Sequence, residues 1–355
     1  MSKQALKQSQ RRSSQGAPTL LDPAVEAATD TPEVIANGAQ QDGVVFRKSQ
    51  GLYAVRQGDR TVSCTISSRL RKHLVYPIAD AGSLRHHVVT VEDIRTVDPI
   101  AVGDAVSFLD AEAGHGVIVA VQERRSKLVR RAAGGKSLEQ VIVTNVDQVI
   151  VICAAERPAL SWELVDRYLA SAEATDVPAG ICITKMDLVA EGRFDAEVAN
   201  YRRLGYPVFL TSAATGMGVP SFREALQGRL SVLAGKSGAG KTTILNAVQP
   251  DLGLRVGEVS NLTGKGRHTT TSLEMFALDG GGGVVDTPGM REFGLWDVHR
   301  DDVALLFREL RPLVGTCRFG MDCRHRSEPG CSVTAAVAGG DVTARRYASF
   351  LRLSE

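Results

Sequence analysis

Long apolar runs are missing from this chain of 355 residues. No window approaches the ~18 consecutive apolar residues that a membrane-crossing helix needs, which excludes a helical integral membrane protein. The opening MSKQALKQSQRRSSQ has none of the apolar core of a secretory signal, so export by that route is not expected. Cysteine is scarce, six in all, with three close together near one histidine. That excludes a disulfide-stapled scaffold, and no Gly-X-Y period supports a collagenous one. Aromatics make up 5%, and none precedes Phe46. Residues 1–43, dominated by Gln, Ser, Ala and Pro, hold too little apolar surface to offset their ordering entropy and are expected to form a disordered tail. Lys3, Lys7, Arg11 and Arg12 precede any acid there, which suits contact with RNA; a transit peptide would have a similar composition.

Charge of one sign is also lacking, with 42 basic against 40 acidic groups, but the distribution is uneven. Residues 44–131 carry 14 basic and 9 acidic groups, 132–298 carry 15 and 19, and 299–355 carry 9 and 7. Basic flanks around an acidic middle point to a polyanion partner; ordinary surface scatter is the competing account. The length suits two or three domains.

What is present falls into three parts. Residues 44–131 read as short strands, VVFRK, GLYAVRQ, TVSCTIS, HHVVTVEDI, DAVSFLD and GVIVAVQ, separated by Gly, Asp and Pro. That spacing predicts a small five-stranded barrel of the OB type. Arg69, Arg71, Lys72, Arg85, Arg124, Arg125, Lys127, Arg130 and Arg131 lie along it, as an oligonucleotide-binding face or as a solvated basic rim. Over 132–298, apolar runs such as VDQVIVICA and ICITKMD alternate with helical spacing, which predicts a parallel sheet covered on both faces. SLEMFALDG and GGVVDTPG predict a hairpin within it. Residues 299–355 have mostly helical spacing, interrupted by a Cys/His cluster.

Gly235-Lys236-Ser237-Gly238-Ala239-Gly240-Lys241-Thr242 matches G-x-x-x-x-G-K-[ST] between the apolar run SVLA and the helical TTILNAV, the context a phosphate-binding loop requires. Its backbone N–H groups converge on phosphate, Lys241 reaches the β- and γ-phosphates, and the Thr242 hydroxyl suits Mg²⁺. Thr243 continues the loop. Asp286-Thr287-Pro288-Gly289 after the strand GVV supplies a carboxylate toward Mg²⁺ and a backbone N–H toward the γ-phosphate. Thr184-Lys185-Met186-Asp187 ends the run ICI. Its carboxylate accepts from the donor pair of guanine, which adenine does not present, and the Lys stem covers the base. Thr211-Ser212-Ala213 resembles the loop that contacts the guanine carbonyl. A P-loop ATPase or kinase is the weaker reading, and the Thr184–Asp187 motif argues against it. The base-reading motifs precede the phosphate loop, the reverse of the usual GTPase order. Joining the usual termini and opening the chain elsewhere keeps every site residue in place.

In this order of motifs the chain resembles the RsgA (YjeQ) family of circularly permuted GTPases. The likeness spans about 44–355. It includes Leu70-Arg71-Lys72, Val102-Gly103-Asp104, Arg124-Arg125-Ser126-Lys127-Leu128, Asn145-Val146-Asp147-Gln148, Gly266-Arg267-His268-Thr269-Thr270-Thr271 and Asp286 to Phe293. The resemblance implies a cytoplasmic GTPase of late small-ribosomal-subunit assembly that the subunit stimulates and that binds rRNA. No membrane is expected as a partner, other assembly factors are possible ones, and a monomer is expected. The chain departs from the family in having Thr184 where Asn is usual.

Met290 stands where many GTPases place a water-orienting Gln. Either turnover is negligible and the protein is a GTP-gated RNA-binding switch, or another residue acts. His268 is the candidate to orient water, with contact to RNA as its other reading. One of Thr269, Thr270 and Thr271 is expected to cover Mg²⁺ when GTP is bound.

Cys317, Cys323, His325 and Cys331 lie within 15 residues, a donor set zinc favours in closed structural sites. Five residues separate the first two cysteines, against four in the family pattern. Arg318, Arg324 and Arg326 between the ligands suit RNA contact. Free thiols are the alternative. Cys64, Cys153 and Cys182 read as core residues. The expected architecture is therefore an α/β protein: OB-type barrel at 44–131, circularly permuted P-loop GTPase domain at 132–298, and zinc-knuckle domain at 299–355.

Overall fold

A computed structural model of the chain describes residues 39–49, 51–68, 70, 99–111, 114–131, 139–254, 273–286 and 298–355. Most of the N-terminal tail, the strand expected at HHVVTVEDI, and Arg69, Arg71, Lys72 and Arg85 lie outside the described residues. So do His268, Thr269, Thr270, Thr271 and residues 287–290.

Strands β1 (Gln40–Ser49), β2 (Leu52–Gln57), β3 (Arg60–Ile66), β4 (Ala105–Asp110) and β5 (His115–Val121) form a five-stranded barrel in the order β1-β2-β3-β5-β4, closed by β1 against β4. Alternation along these strands sends Val45, Tyr53, Val55, Val62, Cys64, Val106, Phe108 and Ile118 into one core. Strand β1 reaches back to Gln40 because Gln40–Val44 pairs with Ala105–Leu109 to close the seam. The same strand pairs with β2 from Val44 to Ser49, across a register shift between Val45 and Arg47.

Strands β6 (Lys127–Arg131) and β7 (Glu139–Thr144) form a separate antiparallel ribbon. Beyond it, β8 (Gln148–Ala154), β9 (Ala179–Thr184), β10 (Val208–Leu210), β11 (Arg229–Ala234) and β13 (Gly282–Asp286) are mutually parallel, in the order β10-β9-β8-β11-β13. β12 (Leu273–Ala277) completes the expected hairpin antiparallel to β13. Its other edge pairs with β1 through Arg47 and Lys48, so barrel and parallel sheet are continuous.

The parallel strands read as unbroken apolar runs because both of their faces are buried. Val149, Val151, Ile181, Ile183 and Val232 face one cluster with helix α1 (Trp162–Glu173) and helix α2 (Asp195–Arg203). Ile150, Ile152, Cys182 and Leu233 face another with helix α3 (Val219–Leu226) and helix α4 (Lys241–Val248). The C-terminal unit has 3₁₀ turns at Arg300–Leu306, Arg311–Leu313 and Gly320–Asp322, then helix α5 (Ser332–Gly339) and helix α6 (Ala344–Leu353). Its core of Val303, Phe307, Leu310, Val333 and Phe350 includes Ala170 of α1.

A buried charge network fastens this unit to α1. Arg346, 2% exposed, donates to Asp166 at 2.7 Å and to Glu309 at 2.6 Å, and Asp166 is 0% exposed. Burial alone would lower the Arg346 pKa, but the hydrogen bond to Glu309 and the Asp166 charge outweigh it, and the guanidinium is held charged. Arg345 reaches Asp166 and the Tyr201 hydroxyl, and Arg308 and Arg311 share Glu173.

Candidate nucleotide and metal sites

The phosphate loop leaves the C-terminal end of β11, between β8 and β13, where parallel sheets present ligand sites. Gly235 lies so close to β8 that a Cβ there would sit 2.2 Å from the Ile152 carbonyl oxygen. Gly240, at φ +86°, turns the chain into α4 in the left-handed conformation that favours glycine. No side chain caps α4, so its first backbone N–H groups stay open at the loop. Lys241 donates to the carbonyls of Gly235 at 2.9 Å and Lys236 at 3.3 Å, which folds its ammonium over the loop. Thr242 is 7% exposed in the first turn of α4; Lys236, Ser237, Gly238 and Thr243 are exposed, and Ala239 is buried. Asp286 ends β13 in register with Leu233, two residues before Gly235.

The motif after β9 sits directly beside this loop. The Thr184 hydroxyl donates to the Ala239 carbonyl at 2.6 Å, and the Thr184 side chain is within 3.6 Å of where a Gly240 Cβ would be. Lys185, at φ +58°, donates to the Gly238 carbonyl at 2.8 Å and to the Arg157 carbonyl, so its stem bridges two loops. Met186 N–H donates to Thr211 O at 3.1 Å, joining this loop to the one after β10. There the buried Ser212 donates its hydroxyl to the exposed Asp187 carboxylate at 2.5 Å and accepts from the Thr215 amide, with Ala213 half-buried alongside. The three motifs that the sequence separates by some 50 residues therefore form one continuous rim.

Sequence reasoning missed the carbonyl of Arg157, which fixes Lys185; backbone acceptors in a loop leave no residue-type signal. It also left Asn145 to Gln148 without roles. Asp147 accepts from Leu230 N–H at 2.8 Å, and Gln148 donates to Ser231 Oγ at 2.9 Å and Ala225 O at 2.8 Å, so the pair locks β8 against β11. Asn145 donates to Gly103 O at 2.9 Å and ties this sheet to the barrel. Cys64 and Cys182 are fully buried, and burial pushes each thiol up to about 12. Cys153 is half-buried and lines a cavity of about 770 Å³ with Pro158, Leu164, Lys236, Ala239 and Arg352.

In the C-terminal unit, Cys317, Cys323, His325 and Cys331 converge, with all four donor atoms within 4.8 Å of one another and each residue at most 6% exposed. The Cys317 and Cys331 sulfurs lie 3.8 Å apart, and His325 Nδ1 lies 3.4 Å and 3.6 Å from them. With Zn–S about 2.3 Å and Zn–N about 2.0–2.1 Å, a tetrahedron has S···S edges of ~3.8 Å and S···N edges of ~3.5 Å. The donor set and the three edges among Cys317, His325 and Cys331 fit zinc. Burial lowers the His325 pKa, which favours the neutral imidazole a metal requires. The Ser332 amide, 3.3 Å from Cys317 Sγ, supports a thiolate there.

A family profile described as RsgA GTPase matches residues 121–296. The small ribosomal subunit biogenesis GTPase RsgA of Gemmatimonas aurantiaca is 41% identical over 317 residues, 88% of this chain and 96% of that protein. The protein of the same name from Chlorobaculum parvum is 40% identical over 325 residues, with the same shares. The crystal structure of YjeQ from Thermotoga maritima superposes with a TM-score of 0.67 at 28% identity, over 89% of this chain and 98% of that one. A structure described as YloQ, a circularly permuted GTPase, superposes with a TM-score of 0.65 at 26% identity, over 91% and 96%. Strand order, motif order and these structures agree on a circularly permuted GTPase with a five-stranded barrel.

Proposed function

The chain belongs to the RsgA GTPase family, and we propose that it hydrolyses GTP to GDP and phosphate on the small ribosomal subunit, assists late maturation of that subunit and is stimulated by it. It is a GTP-hydrolysing enzyme of guanine nucleotide and Mg²⁺. The proposal takes the small subunit from the names of the relatives. The observation that supports the nucleotide assignment is the Ser212–Asp187 hydrogen bond at 2.5 Å, which orients an exposed carboxylate of the kind that accepts guanine's donor pair.

The work divides among the barrel, whose strands run from Gln40 to Val121, the GTPase domain and the zinc unit. Lys185 covers the base with its stem, Thr184 holds the base loop against the phosphate loop, and Ser212 and Ala213 close the far side. The N–H groups of 236–242 and the Lys241 ammonium bind the phosphates. The Thr242 hydroxyl and the Asp286 carboxylate are oxygen donors of the kind Mg²⁺ takes, and Asp286 ends β13 in register with Leu233 of β11, the strand that leads into the phosphate loop. When bound, the ion neutralises charge on the β- and γ-phosphates. His268 orients the attacking water, one of Thr269, Thr270 and Thr271 closes on the nucleotide, and the Gly289 N–H meets the γ-phosphate. Cys317, Cys323, His325 and Cys331 hold one structural zinc. The rRNA is gripped from the barrel and from the knuckle.

The reading is for a monomer working in the cytoplasm. Among the described residues no helix is long and apolar enough to cross a membrane. GTP turnover with and without purified small subunits is the test. Stimulation by subunits, with ATP left intact, is expected; equal hydrolysis of ATP, or no response to subunits, overturns it.

A further inference from the structure

Phe319 is the one exposed Phe, Tyr or Trp among the described residues, at 48% exposure, and Met321 beside it is 69% exposed. Both stand on the turn between Cys317 and Cys323, whose sulfurs belong to the metal-binding cluster. The turn is fixed along its length. Arg318 N–H donates to Gly330 O at 3.1 Å, Gly320 N–H to Cys317 O at 2.8 Å, and Asp322 N–H to Phe319 O at 3.2 Å. A large apolar ring is thus held in water on a short, constrained loop, which costs free energy unless something covers it.

The charges around it differ from those elsewhere in the same unit. Arg308, Arg311, Arg345 and Arg346 are committed to Glu173, Asp166 and Glu309. The side chains of Arg318 and Arg324 are exposed and make no hydrogen bond or ion pair among the described residues. Arg326 reaches only Ser354, at 3.5 Å. Glu328 makes no ion pair with them among the described residues; its carboxylate accepts the backbone amides of Arg324, Arg326 and Ser327, and its single charge offsets only part of the three arginines. Asp322 is the single acid from 317 to 326.

We propose that this turn is a stacking platform for an unpaired RNA base, with the Phe319 ring against the base and the Arg318 and Arg324 guanidinia on the flanking phosphates. The inference rests on the proposed rRNA-binding role and specifies the form of RNA recognised. A duplex covers the faces of its bases, and its recognition through phosphates and 2′-hydroxyls uses no exposed ring. A single strand offers a free π-face and a flexible backbone to a rigid aromatic bordered by cations. Met321 adds a polarizable edge beside the ring.

The test uses the full-length protein with labelled oligoadenylate, an RNA duplex of matched length, and purified small subunits. Phe319→Leu is expected to weaken oligoadenylate binding by about 5- to 100-fold, the range for one stacked base. Duplex binding stays within about twofold, and Phe319→Tyr, which keeps a π-face, restores the affinity. Metal content and melting temperature confirm that both variants are folded. Equal loss on oligoadenylate and duplex, no loss on either, or a wild-type preference for duplex overturns the platform. Weaker subunit binding with unchanged oligoadenylate affinity overturns it in favour of a protein contact. Absence of stimulation by subunits in the wild type sinks the functional reading; normal stimulation with a silent Phe319→Leu sinks the platform alone.

Discussion

The Thr184 hydroxyl donates to the Ala239 carbonyl at 2.6 Å, and through that bond the base-reading loop and the phosphate loop hold each other in place. Thr184 is 3% exposed, so water cannot replace the bond. Thr184→Val keeps the shape and leaves the carbonyl without its donor, at a cost of about 1–3 kcal/mol. Thr184→Ser keeps the hydroxyl. The expected result is lower GTP affinity and melting temperature for valine and near-native values for serine, read by nucleotide titration and thermal unfolding. Identical behaviour of the two variants would mean the hydroxyl is dispensable.

Asp187 is exposed, but Ser212 sets its orientation. Asp187→Asn replaces an acceptor by a donor and is expected to shift preference from guanine toward xanthine nucleotide. Ser212→Ala leaves the acceptor in place and removes its orienting bond, so GTP affinity should fall several-fold with no change of base preference. Competition binding with GTP, XTP and ATP separates the two effects.

The three cysteines of the metal cluster are also members of the C-terminal apolar core, beside Phe307 and Phe350. Elemental analysis of protein purified without added metal is expected to find one zinc per chain. Chelation, or Cys331→Ser, should then expose this core and raise reactivity of the remaining thiols, because binding energy at such sites is folding energy. A zinc content near zero with the core intact would refute the assignment.

Removing one partner from a buried pair leaves an orphaned charge, which costs about 3–5 kcal/mol. Arg346→Met strands Glu309 and leaves Asp166 with Arg345 and the Tyr201 hydroxyl only, and should lower stability by about that amount. Arg352→Ala breaks the ion pair to Glu163 at the surface, with side chains 62% and 49% exposed, and should change stability by less than about 1 kcal/mol. Denaturant titration of both variants gives the contrast.

These contacts mark where the sequence stops being legible. The parallel strands announce themselves because strands buried on both faces must be apolar throughout, as in the VIVICA stretch of β8 and the ICI stretch of β9. The phosphate loop is legible because only glycine tolerates the conformation of Gly240 and the close approach at Gly235. The Cys₃His cluster is legible because its four members are close in sequence. Asp166 and Arg346 are 180 residues apart, and no local period links them. The closure of the barrel by Gln40–Val44 is hidden for a related reason: a polar seam strand pairs through its backbone, which has no residue code.

The same gap decides which basic residues can meet RNA. Arg124 and Arg125 read alike in sequence, as part of one basic strip, but the fold separates them. Arg124 donates to Asp104 through Nε and Nη2, both at 2.7 Å, and to Pro99 O at 2.6 Å; its carboxylate partner is 0% exposed and is also held by Thr144 and the Ala101 amide. Arg125 is 73% exposed, with only a 3.3 Å contact to Asp147. Arg124→Met should therefore destabilise the barrel by about 2–4 kcal/mol, below the full cost of orphaning a buried pair because Arg124 is 23% exposed. Arg125→Gln should leave stability unchanged. Arg69, Arg71 and Lys72 lie outside the described residues, and their joint neutralisation should weaken subunit binding and reduce its slope against salt, since fewer phosphate contacts release fewer counterions. GTP affinity of the free protein should not move in that triple variant. Thermal unfolding beside subunit binding at several salt concentrations distinguishes the two groups; a triple variant that binds subunits normally would leave the barrel charges as a solvated rim and assign the docking to the knuckle.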